Sequence, residues 1–121
     1  MNFEKNSNKT DIFIGLAASQ RYPNSALLSK VERAIHMSNY LQKCVEESNG
    51  KFSFIKTKFE LIEYRKMREL YLKENRKIDF TSSLFSIEGS HVLDGKLINL
   101  DRLYTSGVRY SKIFKFHSNF Q

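Results

Sequence analysis

Four residues in one short stretch, Glu88, Ser90, His91 and Asp94, are of the types that build a hydroxyl–base–carboxylate relay. In such a relay a histidine takes the proton of a hydroxyl nucleophile, and a carboxylate orients the ring. A relay is assembled across a fold, however, and close neighbours in sequence rarely converge on one point. The same residues suit a polar turn, since Gly89 and Gly95 lie among them. No catalytic residue is assigned here.

A second chemistry would join His91 and His117 with Arg109. One group would take a proton from a 2′-hydroxyl and another would protonate the leaving oxygen, as in a small metal-independent ribonuclease. Nothing in the spacing brings the two histidines together. His36 follows Glu32 by four residues and reads as a surface histidine beside a carboxylate. The sequence has no phosphate-binding glycine loop, G-x-S-x-G, H-E-x-x-H or paired cysteines. No cofactor and no metal are expected.

Binding chemistry is better represented. Lys58, Arg65, Lys66, Lys73 and Arg76 share one side of a helical pattern with Glu69, and Ile62 intrudes among them. Such cations can contact phosphates and release counterions, or meet carboxylates of a protein. Arg65, Glu69 and Lys73 also form an ordinary charge ladder at spacings of four. The end of the chain, "GVRYSKIFKFHSNFQ", alternates as a strand does. Val108, Tyr110, Phe114 and Phe116 have one parity, and Arg109, Ile113, Lys115 and His117 the other. The expected binding surface is therefore Lys58, Arg65, Lys66, Lys73 and Arg76 together with Arg109, Ile113, Lys115 and His117. The strand would act as a seam, with its apolar parity packed on the helices and its cations outward.

Composition agrees with a binding role without selecting a partner. The formal charge of the 121 residues is +7. It is uneven: Lys51 to Lys77 hold nine basic and four acidic residues, a net of +5. Hydrophobic residues make up 40% and charged residues 27%, which fits a folded globule and argues against disorder. Cys44 is the only cysteine, which excludes an internal disulfide and fits a reducing cytoplasm. The apolar run from Ile12 to Ala18 is short for a secretory leader, and Asp11 abuts it. No run approaches the roughly 18 apolar residues that span a bilayer.

The elements that would position these groups follow from periodicity. Residues 1–10 read as a polar tail and 11–121 as one domain. Ile12 to Leu16 reads as a short buried strand. An amphipathic helix is expected from about Asn24 to Asn49, with Leu27, Val31, Ala34, Met37, Leu41 and Val45 inward, widened by Leu28, Ile35 and Cys44. Lys51 to Ile55 reads as a strand. Thr57 and Glu60 form a capping-box pattern opening a second helix that runs to about Arg76. The broad apolar arc of that helix (Phe59, Leu61, Tyr64, Met67, Leu70, Tyr71, Leu72) predicts burial on more than one side. "IDFTSSLFSI" reads as a strand, and Asp94-Gly95 as the turn of a hairpin between "HVL" and "KLINL". "LDRLYTSG" is ambiguous and fits one helical turn ended by Gly107.

These elements predict an α+β fold: two amphipathic helices packed on a mostly antiparallel sheet. The function expected is that of a small basic non-enzymatic subunit of a larger protein or ribonucleoprotein assembly. A stand-alone nucleic-acid-binding regulator, touching RNA or DNA through the basic helix, is the second reading. The small ribonuclease is the third. Richness in Lys, Asn, Ile and Phe suggests an AT-rich genome of bacterial or phage type.

Overall fold

Ser29 divides what reads in the sequence as one long helix. Helix α2 (Asn24–Leu28) ends there and α3 (Lys30–Glu47) begins. Ser29 has extended backbone, and its hydroxyl accepts from the Glu32 amide at 3.2 Å. An N-cap residue must leave helical geometry to do this, which is why the helix from Asn24 to Asn49 is broken. The side chain of Arg33 folds back on the freed end of α2, donating to the carbonyls of Ala26 and Leu27 at 3.1 and 2.9 Å. The Ser29-x-x-Glu32 pattern signals this start in the sequence.

The computed structural model describes residues 13–112. Before α2 lies α1 (Phe13–Ser19), and after α3 come β1 (Phe52–Phe54) and α4 (Lys58–Lys73). Strands β2 (Thr81–Ser83) and β3 (Phe85–Glu88) follow almost without a break. A 3-10 turn (Ser90–Leu93), α5 (Ile98–Ser106) and β4 (Val108–Lys112) complete the described chain. The expected polar tail lies outside it.

The mostly antiparallel sheet is not found. Among the described residues there are two strand pairs, β1 with β2 and β3 with β4, and both are parallel. Alternation reveals a strand but not the direction of its partner. Direction is set by the connections, because parallel strands need a crossover of about a dozen residues or more. Here α4 is the crossover from β1 to β2, and the 3-10 turn with α5 is the crossover from β3 to β4. Among the described residues five α-helices stand where two were expected.

Three local expectations change for the same kind of reason. The run Phe13 to Leu16 is helical, continuing into Ala17 and Ala18, which favour helix. Asp94 and Gly95 do adopt positive φ, +50° and +72°. They nevertheless end the 3-10 turn ahead of α5 and join no hairpin. The apolar parity of the last strand breaks at Arg109: Phe85 pairs with Val108 but Ser86 pairs with Tyr110. This irregularity turns the strand over, so Val108 is buried while Tyr110 is 64% exposed.

The core lies where α3, α5, β3 and β4 meet. Val31, Ala34, Ile87, Val92, Leu103 and Val108 form it, with Ile35, Phe85 and Leu93 against them. Of the face expected on the long helix, Val31 and Ala34 are buried, whereas Met37 and Leu28 are exposed. Polar groups in this core are satisfied. The Ser38 hydroxyl donates to the Ser106 carbonyl, and the Asn99 amide donates to the Leu93 carbonyl at 2.9 Å. Gly107 ends α5 at φ +111° beneath the ring of Phe54. Leu103 is the one large side chain below 2% exposure among the described residues. Its full burial contributes roughly 1.5–3 kcal/mol.

Candidate functional site

Helix α4 begins as its sequence requires. The Thr57 hydroxyl accepts from the Glu60 amide at 3.1 Å. The Glu60 carboxylate accepts from the amides of Thr57 and Lys56 at 2.8 and 2.7 Å. These bonds, that from Lys56 first, hold the Glu60 carboxyl below its ordinary pKa against the opposing effect of partial burial. The helix ends at Glu74, whose amide reaches the Leu70 carbonyl at 3.0 Å.

Between those ends, α4 buries no residue. Burial on more than one side was the expectation, and the structure overturns it. Phe59 is 72% exposed and Leu72 61%, while Leu61, Ile62, Met67 and Leu70 are exposed as well. Two tyrosines join α4 to the segment before β2. Tyr64 and Tyr71 each meet the ring of Phe80 edge to face, at 5.7 and 5.1 Å between centroids. A cleft of about 650 Å³ separates α4 from the end of α3 and from β1, with Val45, Phe54, Phe59 and Met67 in its walls. A helix apolar on most sides is normally buried. Most of this one faces open space.

The expected cations on α4 are where the sequence put them. Lys58, Arg65, Lys66 and Lys73 are exposed on the helix and Arg76 lies just beyond it. Arg65 pairs with Glu69 at 3.8 Å and Lys66 with Glu63 at 3.1 Å. Both pairs are exposed, so each contributes under about 1 kcal/mol. Arg76 pairs with Glu74 at 3.1 Å and stacks 3.9 Å over Tyr71. Lys58, Arg68 and Lys73 have no carboxylate partner among the described residues.

The last strand does not join this surface as expected. Arg109 is half-buried and turned inward. Its guanidinium donates to the carbonyls of Lys56, Tyr104 and Val108, and lies 4.0 Å over the Tyr104 ring. It fastens β4 to the end of β1 and is no outward cation. Strand alternation could not show this, because Arg109 sits at the register irregularity. Ile113, Lys115 and His117 lie outside the described residues.

The Glu88–Asp94 cluster is divided between two tasks. Glu88 and His91 border a groove of about 370 Å³ formed with α1 and α3. Asp94 instead accepts from the Ser29 hydroxyl at 2.7 Å and from the Val31 and Lys30 amides at 3.2 and 3.3 Å. That carboxylate caps α3 and orients no histidine. His36 packs against Tyr22, with 4.5 Å between centroids and the rings tilted by 54°. No group of three metal-ligating side chains occurs among the described residues, and no helix there is long and apolar enough to cross a membrane.

The residues that sequence reasoning missed are Arg68 and the apolar side chains of α4, which were assigned to a core. Their signal was present in the breadth of the apolar arc. Comparison with protein-family models, curated proteins and solved structures finds no match to this chain.

Proposed function

We propose that the chain is a small basic binding subunit of a larger protein assembly, and that α4 carries its principal contact. One observation carries this reading: a capped sixteen-residue helix buries none of its residues while displaying Phe59, Met67 and Leu70 along one side. Exposed apolar patches of this kind mark interaction sites. The small core among the described residues supports the reading, since a subunit can draw stability from its partner. Asp94 is engaged in capping α3, which removes support for a hydroxyl–base–carboxylate relay with His91. A cytoplasmic setting accords with the lone Cys44.

The test is co-purification from the native host of the tagged wild type and of a Phe59→Ser/Met67→Ser/Leu70→Ser variant. Retention of a stoichiometric protein partner by the wild type, and its loss from an equally folded variant, is the expected result. Equal recovery by both overturns the role of α4. Nucleic acid is the second reading, favoured by Lys58, Arg68 and Lys73, which have no carboxylate partner among the described residues. It predicts recovery that nuclease treatment abolishes.

A further inference from the structure

We infer that α4 presents the stripe Lys58, Leu61, Arg65, Arg68 and Leu72 to an apolar groove rimmed by carboxylates on a partner protein, an inference that rests on the binding-subunit reading above. These residues recur at alternating spacings of three and four, which aligns them along one side of a helix. All five are exposed. Leu61 and Leu72 would enter the groove, and the basic side chains would meet its rim. Among the described residues Lys58 and Arg68 have no carboxylate partner, and Arg65 holds its partner Glu69 only loosely, at 3.8 Å.

The charges on the page select this occupant. A second copy would bring one chain of net charge +7 against another. A membrane surface would have to accept apolar side chains from opposite sides of one helix. Leu61 and Leu72 lie roughly half a turn from Phe59 and Leu70, and Glu63 stands between Leu70 and Met67 on the latter side. Nucleic acid is favoured by aromatic faces among the cations, but Tyr64 and Tyr71 are engaged with Phe80, and Arg76 covers Tyr71. An acidic protein groove uses both the leucines and the unpaired cations.

The test titrates the full, isotopically labelled chain with four probes while its amide resonances are followed. They are an amphipathic helical peptide with leucines flanked by glutamates, the same peptide with lysines for glutamates, phosphatidylserine/phosphatidylcholine vesicles, and a single-stranded RNA oligonucleotide. The glutamate peptide is expected to move the amides around Leu61, Arg65, Arg68 and Leu72 most. Its affinity should fall about tenfold or more from low to high salt, because exposed charge pairs are screened. Arg65→Glu/Arg68→Glu should abolish that binding, and Leu61→Ser/Leu72→Ser should weaken it at both salt concentrations. Because α4 buries no residue, both variants should retain the wild-type melting curve. The inference falls if the glutamate peptide leaves α4 unmoved, or if the lysine peptide, vesicles or RNA move it as strongly. If the host complex still depends on Phe59, Met67 and Leu70 in that event, the binding-subunit reading stands and only the acidic groove is lost.

Discussion

The carboxylate of Asp94 holds the hydroxyl of Ser29 at 2.7 Å, so the residue ending the 3-10 turn also completes the cap of α3. The same carboxylate accepts from the Val31 and Lys30 amides. Asp94→Ala therefore removes three acceptor contacts from one helix start. A loss of about 1–2 kcal/mol in urea unfolding is expected. Asp94→Asn should lose less, because its side-chain oxygen can still accept.

Leu103→Ala should be more damaging. Leu103 is 1% exposed at the centre of the core. Leucine-to-alanine changes at such sites cost about 2–5 kcal/mol. With so few other large side chains buried, the variant is expected to lose its cooperative thermal transition in isolation. Retention of a sharp transition near the wild-type temperature would show that the core is larger than this contact set.

Two glycines with positive φ should respond differently to alanine. At Gly107 a Cβ would lie 2.6 Å from Cζ of Phe54, with φ at +111°. At Gly50 φ is +80° and nothing lies within 4 Å of the added atom. Gly50→Ala should cost about 1 kcal/mol through backbone strain alone. Gly107→Ala should cost about 2 kcal/mol or more, since the ring must also move. Denaturant midpoints of the two variants measure the difference.

The lowered pKa of Glu60 gives a pH dependence of definite sign. In the unfolded chain its pKa is near 4.5, and in the folded helix it is lower. The charged cap therefore stabilises α4 fully above about pH 4.5, and this contribution is lost as pH falls through the folded value. Glu60→Gln keeps an oxygen acceptor and lacks the charge. The helical circular dichroism of wild type should exceed that of Glu60→Gln at neutral pH, and the gap should close in acid. A constant gap would mean that the charge on Glu60 is irrelevant to the cap.

What the sequence disclosed was short-range. Thr57 and Glu60 form the expected box because both partners lie within one turn of helix. The stop at Gly107 was equally visible, since a left-handed end depends on one residue. Parallel pairing was not visible, because Phe52 meets Thr81 only after α4 has carried the chain back. Nor was the inward turn of Arg109, whose acceptor at Lys56 is far away in sequence. On α4 the breadth of the apolar arc predicted burial on more than one side, and the structure leaves the helix without a buried residue. The breadth of the arc measures apolar area and does not say whether the chain covers it.

The capped, unburied α4 separates two kinds of selection. Folding depends on the Thr57 cap, the Tyr64 and Tyr71 contacts with Phe80, and the strands at either end. The remaining positions are almost free of that constraint, because exposed substitutions usually change stability by less than about 0.5 kcal/mol. Under the binding role proposed above, Leu61, Arg68 and Leu72 would therefore drift under pressure from a partner alone. As that partner's surface diverges, this helix can follow it residue by residue while the rest of the chain stays as it is. In a family descended from such a protein, the helix would be the fastest-changing ordered segment, and its variation would track the partner's lineage.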